Sequence, residues 1–180
     1  MNMWDLQIEH LLAQGFGIIR YDSRGHGQSE APKGPYSIEM LADDAAALLD
    51  VLDIKSVHFC GLSKGGMVAQ MMGVRHADKV KSLTIADSAA FMPAKDTWEE
   101  RIQAVTNGGM KAVVDATTER WITSEGRDRL PDQVELIRQM ILKTPVQGFV
   151  ACSEAIKSMD MRTTNPVSYT HLRAHETLPY

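Results

Sequence analysis

The chain has 180 residues, with a hydrophobic fraction of 44% and a charged fraction of 23%, which is an ordinary composition for one globular domain with a core. Its formal net charge of −4 creates no basic field for nucleic acid or an anionic membrane, and no apolar run approaches the roughly 20 residues that span a bilayer. Two cysteines are too few for a disulfide framework, and the first residues lack the order of a signal peptide, so we expect a cytoplasmic protein.

The first half of the chain alternates between predicted helix and predicted strand. Apolar residues at helical spacing predict a helix over 3–14, which Gly15 ends. The apolar run FGIIRYD, residues 16–22, precedes a turn-rich segment and predicts a buried strand. Ser37 is a predicted N-cap for a helix that continues to about Asp53.

Two further strands are predicted near 56–60 and 81–88, with a helix over 64–76 between them. Strands and helices that alternate with short connections indicate a parallel sheet, so we expect an α/β fold. From residue 94 onward the pattern is helical. The predicted helical segments are 98–106, 110–122, 132–142 and 146–158.

These patterns divide the chain into three parts. We expect a sheet-containing core over 1–93, a helical cap over 94–160 and a tail over 161–180. The tail contains VSYTHLRAHET, residues 167–177, which resembles the translation of a transposase-type sequencing adapter. We therefore interpret the chain from about residue 167 as an artefact and assign it no role.

The motif G-x-S-x-G occurs at Gly61 to Gly65 and places Ser63 between a predicted strand and a predicted helix. This context is typical of a nucleophile elbow, a sharp turn that presents a serine in strained geometry and needs small neighbours. Gly61, Gly65 and Gly66 are expected to meet that need. The helix N-terminus favours a developing oxyanion, and the backbone N–H of Lys64 is the expected donor. The alternative is a glycine-rich turn with an incidental serine.

A second motif, D-x-R-G-x-G-x-S, runs from Asp22 to Ser29 directly after the first predicted strand. Its glycines permit positive φ in a tight turn. We expect an ion pair between Asp22 and Arg24 to hold this loop. His26 lies inside the motif and is interpreted as an ordinary loop histidine, because the base follows the serine in chains of this architecture.

Together the two motifs resemble the α/β-hydrolase superfamily, and the similarity is closest to 3-oxoadipate enol-lactonases of bacterial aromatic catabolism. The resemblance covers roughly residues 3–163 and includes GPYSIEMLADDAAALLDVLDI, HFCGLSKGGMVAQ and RWIT. It implies a serine-dependent hydrolase of carboxylic esters or lactones that needs no cofactor or metal. A C–C bond hydrolase and a non-catalytic ligand-binding protein of the same fold are the alternatives. The position of Lys64 is usually apolar in the family.

The resemblance also suggests where a substrate would bind. An enol-lactone carries a free carboxylate, and Arg120 is the candidate cation for it, with Trp121 as a candidate pocket wall. The alternative for Arg120 is a solvated residue on a helix, and the alternative for Trp121 is an aromatic side chain packed in the core of the cap. The expected partner is a small ester or lactone; the sequence leaves the oligomeric state open.

A triad also needs a base and an acid. His76 is roughly 18 Å along a helix from Ser63, which is out of reach, and His171 and His175 lie in the adapter-like tail. Asp87 ends the third predicted strand and is either a displaced acid or, by preference, a strand-end residue. The family's own acid and base follow the cap, so we expect both to be absent and this chain to be inert.

The resemblance also implies a strand before the first helix that would lie between the strands leading to Asp22 and Ser63. Without that shared neighbour we expect unpaired strand edges, and hence a chain that is unstable or aggregates.

Overall fold

The computed structural model describes residues 2–164. A 3-10 turn at Asn2–Trp4 leads into α1 (Asp5–Ala13), and α2 (Ile38–Val51), β1 (Val57–Leu62), α3 (Lys64–Arg75) and β2 (Val80–Ala86) follow. Five helices come after β2: α4 (Lys95–Gly108), α5 (Val114–Trp121), α6 (Ser124–Arg129), α7 (Pro131–Leu142) and α8 (Val146–Ser158). Two more 3-10 turns, Ala77–Lys79 and Met110–Ala112, precede β2 and α5.

The predicted helices are present, with ends that differ by a few residues. The Ser37 side chain accepts a hydrogen bond from the Met40 N–H at 3.1 Å, which confirms it as the N-cap of α2. Gly15 follows α1 with φ +82°, a conformation that glycine adopts without strain. Sequence reasoning missed α6, because its residues SEGRDR contain no apolar side chain from which a period could be read.

A parallel pair of strands forms the sheet of residues 2–164. Strand β1 pairs with β2, with Phe59 opposite Leu83 and Leu62 opposite Ala86. Helix α3 connects them, so the two strands and this helix form a β-α-β unit. Both strands end on the same edge, at Leu62 and Ala86, which places Ser63 at the carboxyl end of the sheet.

The predicted strand at 16–22 is not formed in this structure. No residue of that segment is paired in a sheet within the described range. The Phe16 ring instead contacts the His58 ring of β1 edge-on, with centroids 6.1 Å apart. A strand exists only through backbone pairing with a neighbour. The apolar run therefore lies beside the sheet through side-chain contact, without the ladder that would make it a strand.

The core lies between the sheet and helices α2, α3 and α8. Leu41, Ala42 and Met72 are each at most 2% exposed, and Met161 after α8 is equally buried. Because α8 contributes Cys152, Ala155 and Ile156 to the same cluster, the helical half of the chain shares a core with the β-α-β unit. This packing positions α8 against the loop that follows residue 22.

A second buried cluster holds helices α4, α5 and α7 together. Its members are aliphatic and sulfur-containing side chains: Val105, Met110, Val113, Val114 and Ile141. Helix α4 also packs against α8, where Lys157 pairs with Glu99 at 2.7 Å. The division of the chain at residues 93 and 160 stays a prediction.

Helix α1 is the least covered element. It has no buried residue, although its apolar side chains recur as the sequence predicted. Leu6 is 87% exposed and Leu12 is 53% exposed. Within the described range, every helix is too short or too polar to cross a membrane.

Candidate functional site

The site is built around the turn between β1 and α3. Ser63 has φ 53° and ψ −115°, a backbone conformation that residues with a Cβ rarely adopt. The turn is held from both sides: the Ser63 N–H donates to the Ala86 carbonyl at 2.9 Å, and its own carbonyl accepts from Ser88 Oγ at 2.8 Å. These bonds tie the turn to the end of β2, so the neighbouring strand supports the strained residue.

Two glycines make this turn possible by close approach. A Cβ on Gly61 would overlap the carbonyl group of Gly65, and a Cβ on Gly66 would lie 2.5 Å from the Ser88 Cβ. Gly65 differs from the expectation, because a Cβ there would meet nothing within 4 Å. The turn therefore requires small residues at 61 and 66, whereas Gly65 faces open space in this structure.

Two polar groups of the turn, the Ser63 hydroxyl and the Lys64 backbone N–H, have no hydrogen-bond partner within the described residues. Ser63 is exposed, and within residues 2–164 its hydroxyl has no hydrogen-bond partner. The Lys64 N–H is at the start of α3 and likewise finds no acceptor among the described residues. The helix N-terminus adds a partial positive charge at the same place. A hydroxyl and an unpaired N–H thus lie side by side at the carboxyl edge of the sheet.

The Lys64 side chain extends into a small polar cluster. Its Nζ donates to Ser23 Oγ at 3.1 Å and to Cys152 Sγ at 3.3 Å, and lies 3.4 Å from His26 Nδ1. Cys152 Sγ is 3.9 Å from the same His26 nitrogen. We call Lys64, Ser23, His26 and Cys152 the Lys64 cluster. It joins the turn, the 22–30 loop and α8.

His26 is neutral at physiological pH. Burial, together with the positive charge of Lys64, lowers the pKa of His26 to about 4, even though the Arg24 carbonyl and the charge of Asp22 act in the opposite direction. His26 Nδ1 lies 3.4 Å from both the Arg24 carbonyl oxygen and Lys64 Nζ, so in the neutral ring this nitrogen either donates to Arg24 or accepts from Lys64, according to the tautomer. Sequence reasoning treated His26 as an ordinary loop residue and missed this contact. Only its place in the glycine-rich motif could have indicated it.

Cys152 was also missed by sequence reasoning, and the reason is packing. Gly148 and Cys152 are four residues apart and share one face of α8. A Cβ on Gly148 would overlap the backbone of Gly25, so helix and loop touch at that glycine pair. One turn later the same face presents the buried Cys152 thiol to His26 and Lys64. A lone cysteine in a helical pattern gives no sign of this.

The ion pair that holds the 22–30 loop differs from the expected one. Arg24 binds the Asp44 carboxylate of α2 with two nitrogens, one of them at 2.7 Å, and does not pair with Asp22. The Asp22 carboxylate instead accepts from the Gln28 N–H at 3.2 Å, and its carbonyl accepts from Ser29 Oγ at 2.5 Å. The prediction of an Asp22–Arg24 pair was wrong, because neighbours two residues apart in this turn point to different elements.

The other candidates lie apart from Ser63. His76 Nε2 is 2.7 Å from the Asp43 carboxylate, at the far end of α3. Asp87 is exposed with φ 43°, and its side chain makes no hydrogen bond to Ser63 or to the Lys64 cluster. His171 and His175 fall outside the described residues. The expected base and acid are therefore not among the groups that contact Ser63 in residues 2–164.

Arg120 and Trp121 are at the end of α5. Arg120 lines a shallow hollow between α4 and α5, together with Glu100 and Arg101, and neither Ser63 nor Lys64 lines that hollow. Burial, followed by the charge of Arg120, lowers the pKa of Arg101. Trp121 is 58% exposed. Within the described range, no group of three or more acidic, histidine or cysteine side chains is arranged to hold a metal.

The comparisons agree with this strand–turn–helix geometry. A family model described as the alpha/beta hydrolase fold matches residues 1–120. Two curated relatives from Acinetobacter baylyi, 3-oxoadipate enol-lactonases 2 and 1, are each 33% identical over 90% and 89% of the chain. The chain spans 60% of the length of each.

Solved structures show the same relationship. The crystal structure of the enol-lactonase from Burkholderia xenovorans superposes with a TM-score of 0.87 and 38% identity, covering 91% of this chain and 62% of that one. A thermophilic esterase from Thermogutta terrifontis gives a TM-score of 0.83 at 29% identity, covering 88% and 60%. The chain belongs to the α/β hydrolase fold family.

Proposed function

We propose that this chain is part of a serine hydrolase that cleaves carboxylic esters or lactones, with Ser63 as the nucleophile. The observation that carries the proposal is the turn at Ser63, where φ is 53° and the exposed hydroxyl has no partner within residues 2–164, which is the form of a nucleophile elbow. Backbone strain of this kind costs of the order of 1–3 kcal/mol and persists where function requires it. A non-catalytic binding protein has no need for it.

The geometry supports acyl transfer through a covalent intermediate. Ser63 Oγ would attack the carbonyl carbon, and the Lys64 N–H would donate to the oxygen as it gains negative charge. The acyl–oxygen bond then breaks to leave an acyl-serine, and water releases the acid. A base must take the Ser63 proton. Since no described histidine contacts Ser63, we propose that the base and the acid belong to the part of the longer relatives that this chain does not span.

For the substrate we propose an enol-lactone of the kind named for the relatives, a small ring ester that carries a carboxylate. The names of the Acinetobacter baylyi and Burkholderia xenovorans proteins support this choice. Arg120 and Trp121 stay predictions as substrate contacts. We also propose a role in aromatic catabolism and a cytoplasmic location.

The test is hydrolysis of p-nitrophenyl acetate and of an enol-lactone. It should be measured for the 180-residue chain and for the reading frame recovered from its source, each beside its own Ser63→Ala variant. We expect hydrolysis by the longer protein that Ser63→Ala lowers by about 10³-fold or more, and none by the shorter chain. Rates that the Ser63→Ala substitution leaves unchanged in both forms would overturn the proposal. A longer protein that binds the lactone without cleaving it would be a binding protein of the same fold.

A further inference from the structure

The Lys64 ammonium group carries a positive charge that no carboxylate in residues 2–164 balances. Its contacts are the Ser23 hydroxyl at 3.1 Å, the Cys152 sulfur at 3.3 Å and the His26 ring at 3.4 Å, and none of these groups is a carboxylate. The nearby Arg24, in contrast, is paired with Asp44. A partly buried cation without a counter-charge is costly unless a ligand supplies one.

The contacts of Lys64 are also weak enough to be replaced. A thiol is a poor acceptor, and the 3.4 Å separation from His26 is long for a hydrogen bond between nitrogen atoms. A carboxylate would be a stronger acceptor for both of these N–H groups, because charge-assisted bonds are about twice as strong as neutral ones. Only the shorter bond to Ser23 needs to remain, and it would hold Nζ in place.

The position of Lys64 connects this charge to the reaction. Its backbone N–H is the donor proposed for the oxyanion, and its side chain is directed to the 22–30 loop and α8, which border the same sheet edge. Five bonds of about 1.5 Å separate the Lys64 Cα from its Nζ. A ligand that reaches both ends of this residue therefore has an anion roughly four or five bonds from its acyl carbon.

We propose that Lys64, steadied by Ser23, is an anion subsite that binds the carboxylate of a short acyl group while Ser63 attacks the acyl carbon. The subsite would hold the carboxylate of the lactone proposed above, and it extends the substrates to open-chain half-esters of short dicarboxylic acids. Only the attack by Ser63 rests on the proposed function, because anion binding at Lys64 needs no catalysis. It assigns to Lys64 the contact that sequence reasoning gave to Arg120.

The test compares two ligands of equal length, monomethyl adipate and dimethyl adipate, in the Ser63→Ala background so that neither is consumed. Binding is followed by NMR titration of the backbone amides around residue 64. We expect monomethyl adipate to bind about 10-fold or more tightly than the neutral diester, with a preference that shrinks as salt is added. Lys64→Met and Lys64→Gln should abolish the preference, and Lys64→Arg should keep most of it.

Lys143→Met is the matched control, because it removes the same charge from the exposed end of α7. It should leave the preference unchanged, and thermal unfolding of each variant shows that it is folded. The proposal is overturned if Lys64→Met and Lys64→Gln retain the preference, if Arg120→Met alone removes it, or if the two ligands bind equally or not at all. Anion preference without Ser63-dependent hydrolysis would keep this subsite and reject the proposed catalysis. Hydrolysis of neutral esters without the preference would do the reverse.

Discussion

The backbone of Gly61 lies so close to the carbonyl group of Gly65 that no side chain fits between them. This contact lets the chain reverse direction within a few residues and present Ser63 at the start of α3. Because the group that a Cβ would meet is backbone, it cannot move aside as a flexible side chain could.

Gly61→Ala is therefore expected to lower the free energy of unfolding by about 3 kcal/mol or more, through overlap with the helix start. Gly65→Ala is the matched control, since its Cβ would enter open space at a helical position, and it should be neutral or stabilising by up to about 1 kcal/mol. Urea unfolding of both variants measures the difference. Equal losses for the two substitutions would contradict the close approach seen at Gly61.

Ser63→Gly should stabilise the chain relative to Ser63→Ala. Both variants lack the hydroxyl, but only glycine relieves the strain of φ 53°. We expect Ser63→Gly to unfold with a free energy about 1 kcal/mol higher than that of Ser63→Ala, while neither supports hydrolysis. Denaturation of the two proteins side by side gives this value. No difference between them would mean that the turn stores no strain.

Arg24 and Asp44 should show measurable coupling, whereas Arg24 and Asp22 should not. Both side chains of the Arg24–Asp44 pair are 31% exposed, so solvent screening reduces its contribution. A double-mutant cycle with Arg24→Gln and Asp44→Asn is expected to give a coupling energy of about 1 kcal/mol. The parallel cycle with Asp22→Asn should give a value near zero. A larger coupling energy for Arg24 and Asp22 than for Arg24 and Asp44 would instead support the ion pair predicted from the sequence.

His26 should make stability depend on pH between about 4 and 6.5. Because its pKa falls to about 4 on folding, the unfolded chain binds more protons in that window, and stability decreases as pH falls through it. The loss is of the order of 3 kcal/mol and is complete below pH 4, where both states are protonated. His26→Gln keeps a neutral polar side chain and should flatten this part of the profile. Identical profiles for the two proteins from pH 7 to pH 4 would refute the shift.

The uncovered apolar side chains of α1 predict self-association. Leu6 and Leu12 in α1, and Phe16 shortly after it, are each about half exposed or more. Leu6→Gln and Leu12→Gln together should reduce light scattering at a given protein concentration without lowering the midpoint of unfolding. Leu41→Gln, at a buried site in α2, should instead unfold the chain and increase scattering. An unchanged scattering signal in the α1 double variant would exclude this face as the cause.

Apart from α6, the helices were predictable from the sequence because their signals are local. The period of apolar residues in α2 and the Ser37 cap lie within a few residues of each other, and the structure confirms both. The turn at Ser63 was predictable for the same reason, since Gly61, Ser63 and Gly66 are close in the chain. The strand at 16–22 failed because local pattern indicates strand preference, whereas a strand also needs a neighbour to pair with.

The amino-acid sequence by itself determined which segments with an apolar period become helix and where the strained serine lies, since backbone sterics and nearby side chains act over a few residues. Tertiary structure alone decided what surrounds that serine. Lys64 meets Ser23 across 41 positions and Cys152 across 88, and Arg24 chooses Asp44 over its near neighbour Asp22. Such contacts depend on how α2 and α8 pack against the loop at 22–30. No periodicity in the chain records that packing, because it arises from the fit of surfaces that meet only once the core has formed.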